Sequence, residues 1–362
     1  MTEGPITPAH LIPALEAHAA RRGFAAGWRA GLDPQRWQQR GRRLLRRHAL
    51  PDLPNPPVTA QLMAQHLLPC GGLHQQLRLD YGSGILTEAY LLLPPGPGPF
   101  PAVLALHDHG SEFRIGKEKC VAPVTADELA TTWHHRFFGG EAPGQRLLAQ
   151  GFAVLAVDAT GWGSRACHGY DTQQALAANL MQIGLTPAGL IAWEDSRAAA
   201  FLAGHPAVDA GRIASFGFSF GAFRAWQVAA LVPDLAACVA VGWMASGPAL
   251  LVPGNNQIRG QSAFWMIHPG LSRHLDLPDI AALVAPRPLW AEVGLQDALF
   301  PEPAVDVAFG RLRAVWQAQG ADCLALHRPD LGHSFPPARQ AAAFDWLARA
   351  LREPLADSRG AR

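Results

Sequence analysis

The pentapeptide Gly217-Phe218-Ser219-Phe220-Gly221 constrains this chain more than any other stretch. An apolar run, Arg212-Ile213-Ala214-Ser215-Phe216, precedes it, and a helical pattern from Ala222 to Leu231 follows. Strand, G-x-S-x-G and helix in that order make a nucleophile elbow. Glycine is needed where strand and helix crowd together, and the serine is lifted to the apex above a helix N-terminus. With 11 Ser and 36 Gly in 362 residues, random order gives about 0.1 such matches, before the strand and helix are required.

The flanking pattern fits a parallel sheet. Strand-like runs at Ala102–His107, Phe152–Asp158, Arg212–Phe216, Ala237–Val241, Leu289–Val293 and Asp322–His327 alternate with helical stretches. Those helices are expected at Gln145–Gln150, Pro187–Gly204, Ala222–Leu231, Val305–Gln319 and Pro337–Leu351. Continuous apolar strands between helices predict a mostly parallel α/β sheet covered on both faces. Upstream, Gln75–Asp80 and Ile85–Leu93 flank Tyr81-Gly82-Ser83-Gly84 and predict an antiparallel hairpin. Residues 1–74 read as an Arg-rich helical extension ending in the proline cluster Pro51–Pro57, 75–352 as the α/β domain, and 353–362 as a tail. Two long excursions, Asp108–Gly140 and a lid-like insertion at about 243–286, leave strand carboxyl ends and are expected to wall the substrate pocket.

Nearly half of the residues are apolar, so a large core is expected and global disorder is excluded. The net charge of +1 gives no general case for nucleic acid. Nine arginines against three acids in the first fifty residues read as the solvated face of one or two helices. No apolar run reaches the ~18 residues of a membrane span, and no secretory leader pattern is visible. The five cysteines are scattered and in no C-x-x-C pair, as expected of reduced thiols in a cytoplasmic protein. A homo-oligomer is compatible with this composition.

A serine hydroxyl needs an adjacent base, itself oriented by an acid, in the chain order Ser, Asp or Glu, His. Asp297, after the strand Leu289–Val293, and His333, between the last strand and last helix, are in that order and at strand carboxyl ends. Asp330, Glu292, His327, His268 and His274 are the weaker rivals. The oxyanion of a tetrahedral intermediate needs two backbone N–H donors. Phe220 supplies one; the loop Leu106-His107-Asp108-His109-Gly110-Ser111 supplies the other, from His109 or else Ser111, with His109 preferred. His107 and His109 also have the alternation of a metal pair, which makes a metal-dependent hydrolase a rival reading. Trp162 and Trp243, with Phe218, Phe220 and Trp265, are placed either to line an apolar pocket or to be plain core. Arg114, Lys117 and Arg165 are placed either to bind an anionic substrate or to pair with Asp108, Glu112 or Glu118.

From about residue 75 to 352 the chain resembles the α/β-hydrolase superfamily, and within it the dienelactone-hydrolase-like and acetylxylan-esterase-like group. The resemblance rests on Leu106–Gly110 with Gly116–Lys119, Asp158–Arg165, Trp193–Arg197, His205–Asp209 and Ala285–Pro288. It implies an α/β-hydrolase fold and a cofactor-independent serine hydrolase. Dienelactone hydrolases carry a cysteine nucleophile; Ser219 in its place points to ordinary esters. A prolyl-oligopeptidase-like peptidase and a non-catalytic binding protein of the same fold are the remaining alternatives. A small-molecule ester is the expected partner.

Overall fold

The computed structural model describes residues 23–82, 84–166, 169–250 and 264–352, with a few positions between 11 and 21. Among them, nine strands form one sheet in the order β1-β2-β3-β5-β4-β6-β7-β8-β9. The strands are β1 Thr59–Leu67, β2 Leu73–Asp80, β3 Leu86–Leu93, β4 Phe100–Leu106, β5 Ala153–Val157, β6 Val208–Phe218, β7 Ala237–Val241, β8 Leu289–Glu292 and β9 Leu324–His327. The first three and β5 pair antiparallel, and every pairing from β5 through β4 to β9 is parallel.

The helices, in chain order, are α1 Pro34–Ala49, α2 Glu128–Trp133, α3 Pro143–Ala149, α4 Gly169–Gln182, α5 Pro187–Ala203, α6 Phe220–Leu231, α7 Gly247–Leu250, α8 Leu277–Ala282, α9 Glu302–Ala318 and α10 Pro337–Ala350. Because side chains alternate across a strand, the central strands feed two cores at once. In β7, Cys238 and Ala240 join the core under α1, α5, α6 and α9, whereas Ala237, Val239 and Val241 join the core under α2, α3 and α10. All five of its residues are buried, which is why the strand reads as an unbroken apolar run.

One boundary differs from the sequence expectation. Residues 59–67, assigned there to a helical extension, form β1, and β2 begins at Leu73 rather than after residue 74. The extension contributes α1, whose Asp33 caps the N-terminus through Arg36 N at 2.7 Å and whose Trp37 and Leu45 enter the main core. The segment is tied to the domain: the Arg42 guanidinium donates to Leu283 O at 2.7 Å and Arg46 to Leu231 O at 3.1 Å. Of the lid-like insertion, α7, a short turn at Leu271–Arg273 and α8 are described; residues 251–263, and the tail at 353–362, lie outside the described residues.

Candidate active site

The elbow sits at the carboxyl end of β6, in the middle of the parallel region. Ser219 adopts φ 56° and ψ −124°, a left-handed conformation that costs a non-glycine residue about 1–3 kcal/mol. The surroundings hold it there. Its own N–H donates to Val241 O at 2.7 Å. Both flanking glycines are required by close approach: a Cβ on Gly217 would lie 2.0 Å from Gly221 O, and one on Gly221 would lie 1.9 Å from Leu106 O. No side chain fits either position, so α6 starts directly against the end of β4.

Two further loops bring the partners. After β8, Asp297 is buried and its Oδ1 accepts from Leu299 N at 3.0 Å. After β9, His333 is half-buried, with its ring 4.8 Å from that of Phe218. His333 Nδ1 meets Asp297 Oδ2 at 2.6 Å, and His333 Nε2 meets Ser219 Oγ at 2.8 Å. The carboxylate makes Nδ1 the donor and leaves Nε2 as the acceptor of the serine proton. The acid and histidine loops are fastened to each other: Leu295 N donates to Pro329 O at 2.8 Å, Gln296 N to Leu331 O at 3.0 Å, and the Gln296 side chain to Asp330 at 2.8 Å.

The rival residues have other partners. Asp330 is held by Gln296. Glu292 accepts from Arg339 and from Trp290 Nε1. His327 stacks on Trp290 at 3.8 Å, His268 bonds Gln227 at 2.7 Å, and His274 packs on His48.

The loop after β4 separates the two candidate amides. Ser111 N donates to the ring of its neighbour, His109 Nδ1, at 3.2 Å. The amides of Phe220 and His109 donate to no protein acceptor among the described residues. His107 and His109, considered above as a metal pair, are both used within the protein. His107 Nε2 accepts from Ala159 N at 3.1 Å, which leaves Nδ1–H to donate to Asp108 O at 2.9 Å. Burial drives the His107 ring well below the usual imidazole range, and that of His109 down to about 3. Both are neutral structural groups at physiological pH, and among the described residues no three His, Cys, Asp or Glu side chains gather as a metal site.

Of the two roles left open for the loop cations, the structure shows pairing within the protein. Arg165 is taken up by Glu194 at 2.7 Å and by the Asp158 carbonyl, and Arg114 forms a two-pronged pair with Glu112 at 2.9 and 2.7 Å. Lys117 pairs with Asp158 and Glu118. Trp162 and Trp243 are buried; Trp162 Nε1 donates to His109 O at 3.1 Å, and Trp243 Nε1 to Met266 Sδ at 2.9 Å. They are framework behind the site, because indole rings packed on all sides offer no surface to a ligand. A mostly apolar cavity of about 420 Å³ lies beside the insertion, lined by Phe24, Pro248, Met266, Leu271 and Ile280 among others, and none of Ser219, Asp297 and His333 lines it.

Sequence reasoning missed the buried ionic frame under the site. Arg224 of α6 grips Asp195 of α5 with bonds of 3.0 and 2.7 Å, and its third nitrogen donates to His107 O at 3.2 Å. Asp158 accepts from Lys117 N, Lys117 Nζ and Ser164 N, between 2.8 and 3.0 Å. Lys119 is fully buried against the loop after β4. Arg224 is the single charge in α6 and was a signal, whereas Asp195 stands beside Glu194 and Arg197 in α5 and gives no such contrast.

Residues 84–301, more than half of the chain, match the model of the abhydrolase family. YtaP of Bacillus subtilis, provisionally named a hydrolase, is 30% identical over 261 residues, which cover 72% of this chain and 82% of that protein. Among solved structures, a provisionally named acetyl xylan esterase of Bacteroides fragilis superposes with a TM-score of 0.72 at 15% identity, over 91% of this chain and 84% of that one. A glucuronoyl esterase of Solibacter usitatus gives 0.63 at 15% identity, over 91% and 97%. With its elbow at the end of the central parallel strand, the chain belongs to the abhydrolase family and is a hydrolase of the α/β-hydrolase fold.

Proposed function

We propose that this protein cleaves carboxylic esters by a Ser-His-Asp triad through an acyl-enzyme. The observation that carries the reading is His333, whose two ring nitrogens meet Ser219 Oγ and Asp297 Oδ2 at 2.8 and 2.6 Å. Ser219 Oγ attacks the ester carbonyl while His333 Nε2 takes its proton and passes it to the departing alcohol. Water then attacks the acyl-serine, again losing a proton to His333, and the carboxylic acid leaves with Ser219 restored. Asp297 orients the imidazole and stabilises its protonated form. The amides of Phe220, at the positive end of α6, and of His109 receive the oxyanion. No cofactor enters these steps.

Support comes from the spatial neighbours: the Bacteroides protein is named an acetyl xylan esterase and the Solibacter protein a glucuronoyl esterase, both ester-cleaving. A small ester is therefore the proposed substrate class, in preference to a peptide. Turnover of a p-nitrophenyl ester by Ser219→Ala is expected to fall by on the order of 10³ or more. A fluorophosphonate is expected to label the native protein at Ser219 and leave the variant unlabelled. A folded Ser219→Ala protein that keeps most of its turnover refutes the reading.

A further inference from the structure

The geometry points to Lys119 as the positioning residue of the oxyanion hole, a role that rests on the reading of Ser219 as nucleophile. Its ammonium clamps two successive carbonyls of the loop after β4, so that the amides on the opposite side are turned out toward the oxyanion.

Lys119 is fully buried, in the short turn Lys117–Lys119 that follows the loop. Its Nζ donates to Asp108 O at 3.1 Å and to His109 O at 3.0 Å. The Asp108 carbonyl belongs to the same peptide unit as the His109 N–H. In a trans peptide those two groups point in opposite directions. Holding the carbonyl at Lys119 therefore directs the His109 amide away from it, and that amide has no protein acceptor among the described residues. The next unit is held in the same way, since His109 O also accepts from Trp162 Nε1 at 3.1 Å. Consecutive carbonyls gathered on a cation leave consecutive amides on the other side, the arrangement of an anion-binding nest.

Two donors on one carbonyl do more than orient it. Asp108 O accepts from Lys119 and from His107 Nδ1, and each bond draws electron density along the peptide and sharpens the His109 N–H as a donor. An ammonium without exposure is costly unless it is paired and hydrogen-bonded. Here Asp108 Oδ1 lies 3.6 Å from Nζ, and the Trp133 ring centroid 4.5 Å. Asp108 is itself fixed by Trp133 Nε1 at 3.0 Å. Removing the ammonium alone would leave the buried Asp108 carboxylate without its cation, so a loss of stability does not distinguish the clamp and the deciding readout is catalytic.

Lys119→Met keeps the length and volume and removes the charge. Per fluorophosphonate-labelled Ser219, its kcat on a p-nitrophenyl ester is expected to fall 10²- to 10³-fold, the loss typical of one missing oxyanion donor, with KM changed less than threefold. Inhibition by a trifluoromethyl ketone, whose serine adduct carries a real oxyanion, is expected to weaken at least thirtyfold. A purely structural lysine would lower the melting temperature and the labelled fraction but leave kcat per labelled site and the ketone affinity in place, and that result overturns the proposal. If the Met variant does not fold by circular dichroism, Lys119→Arg replaces it. That variant keeps the charge but misplaces it, and the same kcat-against-KM split is expected; kcat per labelled site within threefold of the native protein overturns the proposal there too. Ser219→Ala runs alongside: if it keeps its turnover, the serine reading itself fails, whereas an inactive Ser219→Ala beside a fully active Lys119 variant removes only the clamp.

Discussion

Gly294→Ala tests whether the acid and histidine loops act as one body. Gly294 lies between β8 and Asp297, and an added Cβ would stand 2.1 Å from Leu331 O and 2.9 Å from Gly332 O. Its φ is not in the left-handed region, so an alanine there is strained by contact alone. Carbon and oxygen do not approach much below about 3.2 Å without steep repulsion, so the histidine loop must retreat by about 1 Å. Leu331 is two residues from His333, and its carbonyl also takes the Gln296 N–H. The displacement therefore falls on the His333–Ser219 bond, now 2.8 Å, and opens it past hydrogen-bonding range. A misplacement of about 1 Å in such a contact costs about 10²-fold in kcat, or about 2.7 kcal/mol of transition-state stabilisation. Overpacking adds a stability loss of about 1–3 kcal/mol. Michaelis kinetics on a p-nitrophenyl ester, with active sites counted by fluorophosphonate labelling, is expected to show the fall in kcat with KM nearly unchanged. Gly310→Ala is the matched control: Gly310 is exposed within α9, with nothing within 4 Å of its Cβ position. It should leave kcat unchanged and raise stability by about 0.5–1 kcal/mol through helix propensity. A folded Gly294→Ala protein whose kcat stays within threefold of the native value refutes the coupling.

Two other perturbations probe the frame. Asp195→Ala leaves the Arg224 guanidinium buried without its carboxylate, and urea unfolding is expected to show a loss of about 3–5 kcal/mol; a loss under about 1 kcal/mol would contradict the pairing described above. Burial lowers His109 to about 3 and His268 to about 4 from the ordinary 6.5. The unfolded chain then binds more protons than the folded one below pH 6.5, so their stability contribution is complete above that pH and drains away as pH falls toward 4. Each accounts for on the order of 3 kcal/mol over that window. Urea midpoints at pH 7.5, 6 and 4.5 should fall steadily, and a flat series would mean that neither ring is held neutral.

The parallel half of the fold was legible because its strands are buried on both faces. A run such as Ala237–Val241 has no polar residue to dilute the signal. β1 was illegible for the opposite reason. It is an edge strand whose residues are nearly all exposed, and its composition of Ala, Gln, Leu and Met suits a helix better than a sheet. Only pairing with β2 makes it a strand, and that partner is not part of the local pattern. The sheet therefore begins one strand before residue 75.

The site divides along the same line. Ser219, Asp297 and His333 stand at ends of elements whose order is readable, so their meeting followed from topology once the elbow was seen. The cations did not follow. Arg114, Lys117 and Arg165 sat on loops facing the site in the sequence reading, with binding and pairing both open, and nothing in spacing alone distinguishes the two. The structure pairs them with Glu112, Asp158 and Glu194. Glu194 lies on α5, 29 residues from Arg165, and no periodicity links a loop arginine to a helix glutamate across that distance. Lys119 is the sharper case. In the sequence it ends the Gly116–Lys119 block, which carries part of the family resemblance but does not say where the ammonium points. Its burial depends on the loop folding back so that two carbonyls and Asp108 converge on one nitrogen. The carbonyls it binds are peptide groups that every residue possesses, so the spacing of side chains does not reveal them.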